Sequence, residues 1–413
     1  MSPCTRLLAI VTTLALVDPA LARQGPRPRT SNGCRALERH LDRLEGQAPT
    51  PRVEHLARRY AERCVRLNQI QVLGTHNSYH VQPRPALFEA LLLFDPAFLA
   101  WEYTHVPLAE QFATQGIRQI ELDVFHDPDG GLYANRPVLA LIGDPTMGSP
   151  ALLEPGLKVL HVQDVDFEST CLTFVDCLLA IRDWSDANRG HLPIMVLVEV
   201  KDDPIPDPLN LDFVVPREFD AEAFDALDAE IRQVFSPREL ITPDDVRGRH
   251  ERLEDAVLED GWPALRRARD RVLFALDNGG AKGAIYRAGR PSLEGRVLFT
   301  NATPGDADAA FVKRNDPIGS AAEIPALVEQ GYIVRTRADA DTLEARTGET
   351  TQREAAIASG AQFVSTDYPV ENPDFGTGYV VEIPGGEPAR CNPVNAPSAC
   401  RADALERLRT SVR

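Results

Sequence analysis

Two histidines, His76 and His161, an amide, Asn77, and three carboxylates, Glu121, Asp123 and Glu199, stand at the ends of short apolar runs in the sequence. Two imidazoles that titrate near neutral pH can divide a proton-transfer reaction. One takes a proton from a nucleophile and the other gives one to a leaving group. Such a pair suits cleavage of a phosphodiester. Asn77, Glu121, Asp123 and Glu199 offer only oxygen, which fits a hard cation such as Ca2+ or Mg2+ and does not fit zinc. Ca2+ is preferred, because four side-chain ligands leave fewer waters than Mg2+ usually keeps. Glu121 and Asp123 are i and i+2, so on a strand they share one face. Three converging carboxylates without a cation would raise one another's pKa, so either a metal or Lys201 must compensate. The metal is the preferred reading, which leaves Lys201 and Arg337 for substrate. Residue types do not divide the acid and base roles of the two histidines, and Glu121 is an alternative base. His126 is a weaker alternative to His161 for the acid, and His80, His105 and His191 read as surface or core fillers.

Positioning these groups requires a series of strands. The apolar and β-branched runs are Ile70–Gly74, Ile117–Phe125, Lys158–Val162, Ile194–Val200, Val272–Leu276, Val297–Thr300, Tyr332–Thr336 and Phe363–Thr366. Amphipathic stretches such as Leu172–Asn188 and Ala221–Phe235 alternate with them. Eight strands with helical crossovers predict an α/β fold, a TIM-like (β/α)8 barrel, whose active site gathers at the C-terminal strand ends. Most of the runs do end in a polar residue of that kind, including Asp277, Asn301, Arg335 and Asp367. Pro- and Gly-rich insertions over Asp127–Gly156 and Asp202–Arg217 would lie over the same face. Two helices before the barrel form an expected N-terminal cap, and the segment after it an expected disulfide-clipped tail. The boundaries expected are 1–22, 23–68, 69–372 and 373–413.

The chain has 413 residues, with 44 Lys plus Arg against 61 Asp plus Glu, a formal charge of −17. That excess argues against nucleic acid as a partner and against bulk attraction to anionic lipid. Membrane contact would have to be local and transient, and nothing calls for an obligate protein partner. Arg6, the apolar run Leu7–Val17 and Ala20-Leu21-Ala22 have the layout of a cleaved signal peptide, which predicts a secreted or periplasmic protein. Six cysteines follow it, as Cys34/Cys64, Cys171/Cys177 and Cys391/Cys400. Pairing between neighbours is the simplest connectivity in an oxidising compartment.

The motifs Gly74-Thr75-His76-Asn77-Ser78-Tyr79, Ile120-Glu121-Leu122-Asp123, Leu160-His161, Val198-Glu199-Val200-Lys201 and Phe363-Val364-Ser365-Thr366-Asp367-Tyr368-Pro369 resemble those of phosphoinositide-specific phospholipases C, in particular the secreted Ca2+-dependent branch. The resemblance implies a TIM-like barrel with His76 and His161 as the catalytic pair. It implies Asn77, Glu121, Asp123 and Glu199 as Ca2+ ligands. The implied reaction is attack of the inositol 2-hydroxyl on phosphorus, giving diacylglycerol and a cyclic inositol phosphate. A glycerophosphodiester phosphodiesterase resembles the sequence too, but that family has Arg-Gly where His76 is followed here by Asn-Ser-Tyr. A non-catalytic secreted barrel binding protein is the remaining, less favoured alternative.

Overall fold

The computed structural model describes residues 31–44, 50–144, 148–386 and 388–408. The expected leader, 1–22, lies outside them. Ten strands form one sheet: β1 Ile70–Thr75, β2 Gln119–Phe125, β3 Lys158–Val159, β4 Ile194–Lys201, β5 Val272–Leu276, β6 Leu298–Thr300, β7 Phe311–Lys313, β8 Ile333–Arg337, β9 Phe363–Thr366 and β10 Ala389–Cys391. Eight of these run parallel in the order β6-β5-β4-β2-β1-β9-β8-β7. The two ends meet at one parallel bridge, Asn301 to Phe311. There the Asn301 amide donates to the Asp277 carbonyl at 3.2 Å and accepts from the Lys313 N–H at 3.0 Å. The result is a nearly closed eight-stranded parallel barrel with helices around it.

The expected third barrel strand is a correction. Lys158–Val162 contributes only β3, which pairs antiparallel with the end of β2, Val124 opposite Val159. The eighth barrel strand is instead β7, absent from the sequence-derived set. A short apolar run carries no information on strand direction, and a three-residue strand is below the length at which alternation can be recognised. The tail also does more than clip. β10 lies antiparallel to β1, Ile70 opposite Cys391, along the part of its edge that β2 leaves free by pairing only at Gly74–Gln119. Gly74 has to be glycine there, because a Cβ would stand 2.9 Å from the Gln119 Cβ.

Local sequence explains the crossovers. In the helix Phe174–Ala187, Thr173 caps the first turn through the Asp176 N–H, and Phe174, Leu178, Ile181 and Trp184 form the buried stripe. The helix Pro51–Cys64 begins at the Thr50 cap with Pro51 in its first turn and buries Val53, Leu56 and Tyr60. A disulfide joins it to the helix Asn32–Asp42 through Cys34–Cys64. Cys171–Cys177 and Cys391–Cys400 complete the neighbour pairing. None of the described helices is long and apolar enough to cross a membrane. A second apolar cluster, separate from the barrel core, covers one side of the C-terminal mouth. It joins Leu87 and Leu91 after β1, Tyr133 and Leu139 after β2, and the partly buried Phe213 after β4.

Candidate active site

β1 ends in a turn that sets three functional groups at once. Asn77 has φ 41°, a left-handed conformation that asparagine tolerates. Ser78 then docks on β2. Its N–H donates to the Glu121 carbonyl at 2.9 Å and its Oγ accepts from the Glu121 N–H at 2.8 Å. Gln111 fixes the turn from outside by donating to the Ser78 carbonyl at 2.7 Å. Asn77 is thereby tied to Glu121, and His76 is left at the end of β1.

His76 and His161 each face a carboxylate. His76 Nδ1 lies 2.8 Å from Asp367 Oδ1, and Arg337 donates to Asp367 Oδ2 at 2.9 Å while its other terminal nitrogen stands 3.4 Å from His76 Nε2. Burial, with Arg337 adding to it and Asp367 opposing, pushes the His76 imidazole down to about 3. Burial would lift Asp367, but His76 and Arg337 hold it well below the usual carboxylate range. His161 reaches the mouth because β3 runs back along the end of β2. Its Nδ1 lies 2.7 Å from Asp166 Oδ2. Burial lowers the His161 imidazole, with Asp166 acting against it. The two histidines are linked by a chain of ring contacts from His76 to Tyr103, His80 and His161, with centroids 6.3, 4.2 and 5.4 Å apart in turn.

Glu121, Asp123 and Glu199 each bring a carboxylate oxygen within 4.8 Å of the others. β2 and β4 are paired so that Asp123 stands opposite Glu199. Arg335 pairs with Glu121, and the Lys201 ammonium lies 3.3 Å from both Asp123 and Glu199. Burial pushes Glu121 up to about 7 even with Arg335 beside it, and pushes Asp123 well up despite Lys201. Burial works against the Lys201 ammonium, yet Asp123 and Glu199 outweigh it and hold its pKa above the ordinary value. The buried Asn77 Oδ1 and Asp123 Oδ1 have no hydrogen-bond partner. Buried oxygens without donors are costly, and a hard cation within reach of them would offset that cost. The donor set, one amide and three carboxylates, fits Ca2+.

The structure therefore brings His76, His161, Asn77, Glu121, Asp123, Glu199, Lys201 and Arg337 to one mouth. Lys201 is engaged by two carboxylates and Arg337 by Asp367. His80 and His105 are both buried beside the site: His80 touches Asp166 and His161, and His105 donates through Nε2 to the His76 carbonyl at 2.9 Å. His191 is remote, bonded to Ser185 Oγ at 2.6 Å. Asp166 escaped the sequence reading, and so did the partners of Arg335 and Asp367, which the sequence places only at strand ends.

The sequence profile of the family described as phosphoinositide phospholipase C, Ca2+-dependent, matches residues 65–393. The chain belongs to this family, Ca2+-dependent enzymes that cleave phosphoric diesters. Among solved structures it is similar to a Ca2+-dependent phosphatidylinositol-specific phospholipase C from Streptomyces antibioticus, at 17% identity and TM-score 0.47, covering 76% of this chain and 97% of that one. It is also similar to a calcium-dependent phosphoinositol-specific phospholipase C from a Gram-negative Pseudomonas sp., solved with myoinositol, at 17% identity and TM-score 0.48, covering 80% and 96%. No curated protein matches the chain.

Proposed function

We propose that this protein cleaves phosphatidylinositol to diacylglycerol and a cyclic inositol phosphate, with His76 and His161 as the proton-transfer pair. The observation that carries this reading is that two His–Asp pairs share one barrel mouth with the clustered carboxylates of Glu121, Asp123 and Glu199. Asn77, Glu121, Asp123 and Glu199 would hold Ca2+, which when bound supplies positive charge against a developing phosphorane. His76, kept neutral by burial and Arg337, is suited to accept a proton or a hydrogen bond from the inositol 2-hydroxyl. His161, whose Nδ1 is taken by Asp166, has Nε2 left to protonate the departing glycerol oxygen.

Substrate would be met at a lipid surface. Among the described residues, exposed large apolar side chains cluster on segments that leave C-terminal strand ends: Leu93, Phe94 and Leu99 after β1, Leu141 and Leu153 after β2, and Leu209 and Val215 after β4. Apolar exposure, not charge, is suited to hold this acidic protein on a membrane. Its three disulfides fit a secreted or periplasmic location. We assign residues 23–68 to an N-terminal extension, 69–372 to the catalytic barrel and 373–413 to a C-terminal extension.

The test is phosphorus NMR of the protein with phosphatidylinositol in mixed micelles, with Ca2+ and with a chelator. A cyclic inositol phosphate signal that the chelator removes is expected. Release of glycerol phosphate from deacylated diesters, without any cyclic product, would instead support a glycerophosphodiester phosphodiesterase.

A further inference from the structure

The two His–Asp pairs differ in how the carboxylate is shared. Asp367 uses one oxygen for His76 and the other for Arg337. Asp166 gives the same oxygen, Oδ2, to two imidazoles: His161 Nδ1 at 2.7 Å and His80 Nε2 at 2.8 Å. Its Oδ1 is buried without a hydrogen bond. The other nitrogen of His80, Nδ1, lies 3.0 Å from the Tyr103 carbonyl, which can only accept. Both nitrogens of His80 therefore face acceptors and donate. Asp166 then accepts from both rings, so the His161 proton sits on Nδ1 and Nε2 is the atom left for chemistry.

The local fold holds this array tightly. Val162 and Asp166 exchange backbone hydrogen bonds, each 2.9 Å, around a tight loop whose Asp164 takes φ 65°. That loop turns the chain back so that Asp166 meets His161 five residues earlier. His80 is fully buried and stacked on Tyr103, and the Trp101 ring packs edge-on to His161 at 5.7 Å.

We propose that Asp166 and His80 are positioning residues for His161: Asp166 fixes the Nδ1–H form of its ring, and His80 fixes the Asp166 oxygen that does so. This rests on His161 being the acid. In that step the inositol 2-hydroxyl oxygen bonds to phosphorus as the bond to the glycerol oxygen breaks. The hydroxyl proton passes to the base, and His161 in its imidazolium form, with Nδ1–H kept on Asp166, gives its Nε2 proton to the glycerol oxygen and is left as the neutral Nδ1–H ring.

The test compares the wild type with Asp166→Asn, His80→Gln, His161→Ala and the double variant Asp166→Asn/His161→Ala, all at saturating Ca2+. Each is assayed on phosphatidylinositol and on an inositol phosphodiester with a nitrophenolate leaving group, which departs without a proton. A general acid is worth about 10²- to 10⁴-fold. Asp166→Asn is expected to lower kcat on phosphatidylinositol by about 10²-fold and His80→Gln by about 10-fold, both within the scale of losing that acid. Both should stay near wild type on the nitrophenyl substrate, and the double variant should be no slower than His161→Ala. Nitrogen NMR of the His161 ring, at a pH where it is neutral, should show the Nδ1–H tautomer in the wild type and a mixture in Asp166→Asn. This readout and the isosteric Asp166→Asn keep the test decisive if His80→Gln folds poorly. Wild-type kcat in Asp166→Asn and His80→Gln beside an inactive His161→Ala would overturn the positioning roles alone, as would equal losses on both substrates. Full activity of His161→Ala on phosphatidylinositol would overturn the acid assignment beneath them.

Discussion

Leu93 is 91% exposed and Phe94 60% exposed at the end of the helix Pro85–Phe94, which follows β1 on the side of the candidate active site. Moving a fully exposed Leu or Phe side chain out of water is worth about 1.5–3 kcal/mol. Scaling by those exposures gives about 2.3–4.5 kcal/mol for the pair, a loss of about 50- to 2000-fold in partition coefficient when both become Ser. Vesicle sedimentation of wild type and Leu93→Ser/Phe94→Ser on neutral phosphatidylcholine vesicles containing a little phosphatidylinositol would measure it. Turnover of a water-soluble inositol phosphodiester by the double variant should stay within twofold of wild type, since neither side chain belongs to the catalytic set. The net charge of −17 fixes the sign of a control. Binding to vesicles rich in anionic lipid should strengthen as salt is added, because screening relieves repulsion. An unchanged partition coefficient, or equal losses on vesicles and on soluble substrate, would refute the apolar docking face.

Three further outcomes are expected. Ca2+ at 100 times its Kd should stabilise the protein by about 2.7 kcal/mol; calorimetry should show that Asp123→Asn loses this gain while melting no lower than the metal-free wild type, because a buried carboxylate oxygen without a donor is removed. Burial pushes Glu230 up to about 7 from an ordinary 4.5, so the folded state holds its proton more tightly. Its contribution to stability is present below pH 4.5 and is lost as pH rises through 7. Glu230→Gln should therefore flatten the fall in melting temperature across that interval. Removing Cys34–Cys64, which closes 30 residues, should cost about 3–4 kcal/mol by chain entropy, against about 2 kcal/mol for Cys171–Cys177, which closes 6; urea midpoints of the paired Cys→Ser variants would rank them.

The barrel was legible because parallel strands buried on both faces read as continuous apolar runs, as Ile194–Lys201 does. What failed was direction and brevity. Lys158–Val162 has the composition of a barrel strand, but the chain turns back over the end of β2 before using it, a choice made by tertiary pairing. Phe311–Lys313 is held largely by β8 and by the Asn301 side chain, and neither contact is adjacent in sequence. The first-strand motif was more informative, because Thr75, Asn77 and Ser78 are small polar residues with turn chemistry. Their pattern marks a bend, although not the docking of Ser78 on Glu121 that gives the bend its purpose.

For the site, residues that end strands were readable and residues that support them were not. His80 is four residues from His76 and directly follows the same motif, yet the role proposed for it depends on Asp166, 86 positions later, and on Tyr103. A buried histidine without known partners reads as core filling, and only the partners give grounds for proposing a part in proton transfer. The same holds for the rim. An exposed Leu93, Leu141 or Leu209 is ordinary when taken alone, since much of any folded surface is apolar. Each follows a different strand, and parallel closure carries all three to one end of the barrel. Residues dispersed over more than a hundred positions of sequence are brought to one end only through strand order, which would make the proposed docking face a consequence of topology rather than of any local motif.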